Sequence, residues 1–105
     1  MSEETKAELD KYIEFISSLT GVLQIYMFGS YVNGIPNKTS DIDLMVIVEN
    51  NLDPFKTAYK IRRELTDTDL ILDVMVNKKS AFDTAAESSS FQKTIKETGV
   101  LLYAV

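Results

Sequence analysis

An α/β fold, a small mixed β-sheet flanked by helices, is what three observations predict. Stretches with apolar residues at helical spacing alternate with short β-rich runs, in the order α-β-α-β-α-β-α-α-β. The boundaries between them carry Gly, Pro, Asn, Asp or Ser, the residues that end helices and strands. The central run, Leu44-Met45-Val46-Ile47-Val48, is continuously apolar, as a buried strand requires.

Each element follows from its own residues. Ser2 can cap a first helix to about Leu19, whose Leu9, Tyr12, Ile13, Ile16 and Leu19 form one apolar stripe, and Gly21 stops it. Val22 to Phe28 reads as a first strand that ends abruptly at Gly29-Ser30. Residues 30 to 34 fit a helical turn, followed by a loop through Pro36, Asn37 and Ser40. Ile42 to Val48 is a second strand. Asp53 as cap and Pro54 at the first helical position start a helix to about Thr66, expected to bury Phe55, Ala58, Ile61 and Leu65. Leu70 to Val76 is a third strand, interrupted by one charge at Asp73. Two helical stretches, near Ser80 to Ala86 and Ser89 to Glu97, precede Gly99 and an apolar terminal strand, Val100 to Val105. No repeat or linker divides the 105 residues, so residues 1–105 are expected to form a single domain.

Composition narrows the chemistry. The chain has no cysteine and no histidine, which removes thiol nucleophiles, disulfides, His bases and Cys/His zinc sites. A net charge of −5 argues against direct binding of nucleic acid through a general field; a polyanion must be met locally or through cations. Without a signal-peptide core or a membrane-length apolar run, the expected location is cytoplasmic, with no membrane partner. A domain of this size often leans on a partner surface, and homo-oligomerisation stays open.

Asp41 and Asp43 are two residues apart at the mouth of the second strand, so strand parity turns both carboxylates to one face. Such neighbours repel unless a cation lies between them, and oxygen ligands on a strand suit Mg²⁺. An isolated Asp-x-Asp is more often a solvated turn. An EF-hand is excluded, because Met45 and Val46 would stand where an oxygen ligand and a glycine belong. Asp73 tips the balance. Every neighbour from Leu70 to Val76 is apolar, so a buried carboxylate there needs either a salt bridge, for instance to the Lys60-Arg62-Arg63 group, or a metal. Gly29-Ser30 at a strand-to-helix turn can offer N–H groups and a hydroxyl to a phosphate, although it is neither a P-loop nor a dinucleotide fingerprint.

Together, Gly29-Ser30, ten intervening residues and Asp41-Ile42-Asp43 resemble the Gly-Ser…Asp-x-Asp signature of the nucleotidyltransferase superfamily that includes DNA polymerase beta. Asp73 resembles its third carboxylate, and the likeness runs from the first strand to the C-terminus. The resemblance implies a polymerase-beta-like nucleotidyltransferase fold of the minimal type often encoded beside a HEPN-type helical partner, as in toxin–antitoxin pairs. It implies transfer of a nucleotidyl group, AMP from ATP, to an acceptor hydroxyl. Asp41, Asp43 and Asp73 would be catalytic and would hold two Mg²⁺ ions, with Asp73 as the base or beside it. Gly29 and Ser30 would cradle the β- and γ-phosphates, with Asn33 at the nucleotide; Tyr31, because it follows the Gly-Ser corner, is a nucleotide-binding candidate placed to contact the nucleotide or the acceptor. Relatives commonly carry a Gly-Ser-x-Ala-Arg-Gly run; here Asn33 stands where the arginine would be, and Lys38 is a candidate replacement. That departure bears on triphosphate affinity and turnover rather than on the carboxylates. It also motivates an alternative, a binding module that neutralises a helical partner by covering it. A small-molecule nucleotidyltransferase would call for a substrate-binding domain, for which 105 residues leave no space.

Overall fold

The computed structural model describes residues 1–34, 41–68, 70–88 and 90–105, without the side chains of Asn33 and Asp67. The elements are α1 (Glu3–Ser18), β1 (Val22–Phe28), α2 (Ser30–Asn33), β2 (Ile42–Val48), α3 (Pro54–Glu64), a 3₁₀ turn (Leu65–Asp67), β3 (Leu72–Lys78), α4 (Lys79–Glu87), α5 (Phe91–Thr98) and β4 (Val100–Ala104). The caps act as their residue types dictate. Ser2 Oγ accepts the Thr5 N–H at 3.1 Å, Asp53 Oδ1 that of Phe55 at 2.9 Å, and Ser90 Oγ that of Lys93 at 3.2 Å. The loop expected through Pro36, Asn37 and Ser40, with Lys38, lies outside the described residues.

The four strands form one sheet in the order β3-β2-β1-β4. β1 runs antiparallel to β2 and β4, and β2 runs parallel to β3, so the sheet is mixed. The parallel pair requires a crossover, which α3 supplies. β2 has strand neighbours on both sides and helices on both faces. Its even-numbered residues, Ile42, Leu44, Val46 and Val48, pack with Leu9 and Ile16 of α1 and Ile61 of α3. Its odd-numbered Met45 and Ile47 pack with Phe82 of α4 and Ile95 of α5. Leu44 to Val48 are all fully buried, and each such side chain contributes about 1.5–3 kcal/mol. β2 is therefore the best-anchored element, and Asp43 is built directly onto its start. Among the described residues no helix is long and apolar enough to cross a membrane.

Three expectations change. Phe55 is not buried but 84 % exposed, because α3 turns Thr57, Ala58 and Ile61 to the sheet and leaves the Phe55 position outside. The third strand begins at Leu72 rather than Leu70 and lies at the edge of the sheet. Only one of its faces is well covered: Val74 is buried, whereas Asp73 and Met75 are exposed. Asp73 is thus not a buried carboxylate, and the desolvation argument that demanded a partner for it falls away.

Candidate functional site

The register of the sheet determines what meets at its carboxylate end. Asp43 is the direct partner of Phe28 on antiparallel β1 and of Asp73 on parallel β3. Phe28, Asp43 and Asp73 therefore form one row across three strands, on the face that α4 and α5 cover further along. Asp41 is exposed, just ahead of β2 and two residues from Asp43. The third aspartate arrives beside Asp43 through the parallel pairing of β3.

Gly29 closes the site from behind. Its φ of 86° lies in the left-handed region that glycine tolerates, and a Cβ there would overlap Asp43 Oδ2 and stand 3.1 Å from Cγ. Glycine is thus required twice, by the backbone and by the carboxylate. Ser30 begins α2, a single helical turn closed by Val32 N–H to Gly29 O at 3.0 Å and Gly34 N–H to Ser30 O at 3.1 Å. The Tyr31 ring is partly buried against the α1–α3 core, away from the Asp43 face. The side chain of Asn33 lies outside the described residues.

Asp43 is half-buried, and its carboxyl is pushed above the usual carboxylate range. Burial is the largest cause, followed by the negative charges of Asp73 and then Asp41. Among the described residues no three carboxylates are already gathered tightly enough to clasp a metal ion. The donors nevertheless suit a hard divalent cation: all are oxygens, they repel one another, and a positive charge would relieve the strain on Asp43. A cleft of about 250 Å³ between α3 and β3 is lined by Phe55, Arg62, Asp73 and Met75. Arg62 shares that cleft with Asp73, but among the described residues the ion pairs are Lys79–Asp83 at 2.7 Å and Lys11–Glu8 at 4.0 Å. The salt-bridge explanation for Asp73 thus finds no support among the described residues.

Two aromatic neighbours escaped the sequence reading. Phe28 directly precedes Gly29, so its place beside Asp43 could have been read from strand pairing. Phe91, at the start of α5, meets Phe28 edge-to-face with centroids 5.2 Å apart, and no sequence signal links the two.

A mixed sheet of order β3-β2-β1-β4, with aspartates on its two parallel strands and a glycine corner behind them, is a nucleotidyltransferase-type architecture. Residues 10–104 match the family model described as Polymerase beta, Nucleotidyltransferase, and the chain belongs to that family. A protein assigned as a nucleotidyltransferase in Sulfolobus solfataricus shares the fold at a TM-score of 0.64 and 22 % identity, over 91 % of this chain and 77 % of that one. A chain of a toxin–antitoxin complex with AMP-PNP aligns at a TM-score of 0.56 and 23 % identity, over 91 % and 73 %. A chain from the complex of a tri-AMPylated Shewanella oneidensis HEPN toxin with an MNT antitoxin aligns at 0.52 and 22 %, over 100 % and 74 %. No curated protein matches. At these identities the structural matches speak for the fold.

Proposed function

We propose that this protein transfers AMP from ATP to a hydroxyl group on a HEPN-type protein partner, acting as the antitoxin of a toxin–antitoxin pair. The observation that carries the reading is the row in which Asp43 stands beside Asp73, with Asp41 two residues upstream and Gly29 packed against the Asp43 carboxylate. Family membership supports the reaction type. The AMPylated toxin and the AMP-PNP complex among the structural neighbours support the nucleotide and the partner class.

In this reading Asp41, Asp43 and Asp73 hold two Mg²⁺ ions, which when bound neutralise phosphate charge and polarise the reacting oxygens. The chain's own residues do the rest. Gly29, lacking a side chain, makes room for the Asp43 carboxylate, and the Ser30 hydroxyl at the same corner is a donor for phosphate oxygens. Asp73, exposed on the edge strand, is reachable from solvent and so by a protein-borne hydroxyl. The acceptor oxygen bonds to the α-phosphorus, the bond to the bridging oxygen breaks, pyrophosphate leaves, and an Asp73 oxygen takes the hydroxyl proton.

The test is transfer of label from α-labelled ATP, with Mg²⁺, to the product of the adjacent gene. The Asp41→Asn/Asp43→Asn double variant is expected to lose transfer by at least about a hundredfold. Equal labelling by the variant, or none by the wild type, overturns the proposal. The second reading, neutralisation by covering the partner, rests on Asn33 in place of the expected arginine. It predicts that the double variant still neutralises.

A further inference from the structure

Among the described residues three aromatic side chains are exposed: Phe55, Tyr59 and Phe91. Phe55 and Tyr59 stand on α3, which packs on the face opposite Asp43, although Phe55 also lines the cleft at the β3 edge that Asp73 borders. Phe91 is the exposed ring that contacts the strand partner of Asp43, with 45 % of its surface free. Its setting is firm. Ser90 caps α5 directly before it, Ile95 one turn later is buried, and the neighbouring Gln92 amide donates to Asn77 of β3 at 3.4 Å. A helix this well seated could have turned an apolar first residue fully inward, where burial is favourable. Instead Phe91 leans edge-to-face on Phe28 and keeps ring surface in solvent.

Phe28 is the strand partner of Asp43, so Phe91 lies one ring away from the site's central carboxylate. A nucleoside triphosphate has the same layout, because its base is one ribose away from the α-phosphate. Bases stack on aromatic faces, and a single base–aromatic stack is worth enough to dominate the affinity of the nucleoside end. We propose that Phe91, braced by Phe28, is the surface on which the nucleobase of the bound nucleoside triphosphate stacks. This inference rests on the nucleotidyl-transfer reading of the carboxylate site and adds to it the part that holds the base.

The chain contains no tryptophan, so Phe91→Trp would carry its single tryptophan, excited selectively over the tyrosines, at the proposed stack. Saturating AMP-PNP with Mg²⁺ is expected to quench its emission, whereas inorganic tripolyphosphate, which lacks a base, should not. Phe91→Leu, chosen to keep the apolar contact with Phe28 and checked by its melting temperature, should bind AMP-PNP about tenfold more weakly while tripolyphosphate binding is unchanged. Phe91→Tyr should restore wild-type affinity. The inference is overturned by AMP-PNP affinity within twofold of wild type in Phe91→Leu, by saturation without quenching, or by equal quenching with tripolyphosphate. AMP-PNP binding that follows this pattern without any label transfer would sink the transferase reading and leave the stacking surface standing. A wild-type protein that binds no AMP-PNP at millimolar concentration overturns both.

Discussion

At the level of single residues, Asp43 and Gly29 depend on each other. Gly29→Ala meets two obstacles, a positive φ and the Asp43 carboxylate, and should destabilise by about 1–3 kcal/mol. Gly34 is the internal control, since a Cβ there has its nearest neighbour at 3.5 Å, an ordinary contact. Gly34→Ala should stay within about 0.5 kcal/mol of wild type in the same urea titration. Asp43 itself is held at a cost. Its raised pKa means that the folded state takes up a proton before the unfolded state does as pH falls. Stability is therefore lowered at neutral pH, where the carboxylate is ionised, and recovers as pH falls through the folded-state value toward the ordinary one. Asp43→Asn removes the charge and should raise the neutral-pH melting temperature by about 1–3 °C. That difference should vanish below the usual carboxylate range. Mg²⁺ should raise the wild-type melting temperature and leave that of the variant unchanged. A variant that melts lower than wild type at neutral pH would contradict this account.

Among elements, the β2-α3-β3 unit shows where pattern and packing part company. α3 has apolar residues at Phe55, Ala58, Tyr59 and Ile61, but only Thr57, Ala58 and Ile61 turn inward. Ile61→Ala should cost about 2–5 kcal/mol, because a fully buried side chain beneath the sheet is removed. Phe55→Ala, at a position 84 % exposed, should cost less than about 0.5 kcal/mol. Chemical denaturation of the two variants side by side checks the helix's orientation, and similar losses would refute it. The apolar run Leu70 to Val76 reads as a strand buried on both faces, yet β3 lies at the edge. An edge strand has a sheet neighbour on one side only, so Met75 remains 38 % exposed on the same face as Asp73.

Across the whole molecule, the site exists because the end of β1 meets the starts of β2 and β3. β1 delivers Phe28 and Gly29, β2 delivers Asp43, and the crossover through α3 returns β3 parallel so that Asp73 lands beside Asp43. Asp73 is exposed and has no ion pair among the described residues, so folding asks little of it. Asp73→Asn should leave the melting temperature within about 1 °C of wild type and permit AMP-PNP binding. Label transfer should nevertheless fall at least about a hundredfold, as expected for a group that acts on the acceptor proton. Loss of fold and activity together would instead mark Asp73 as structural.

Local sequence determined what depends on near neighbours along the chain: the order of elements, the caps at Ser2 and Asp53, and the continuous apolar β2. Backbone periodicity and capping are short-range, so one sequence suffices to read them. The Gly29-Ser30 and Asp41-Ile42-Asp43 spacing was legible for a similar reason, as a corner and a strand start separated by ten residues of sequence. Tertiary structure alone decided that Asp73 is solvent-exposed, that Gly29 abuts the Asp43 carboxylate, and that Phe91 joins Phe28 beside it. These outcomes depend on which strand lies at the edge and on contacts between residues far apart in the chain. Both are settled by the packing of α3, α4 and α5 on the sheet, and no local pattern encodes that packing.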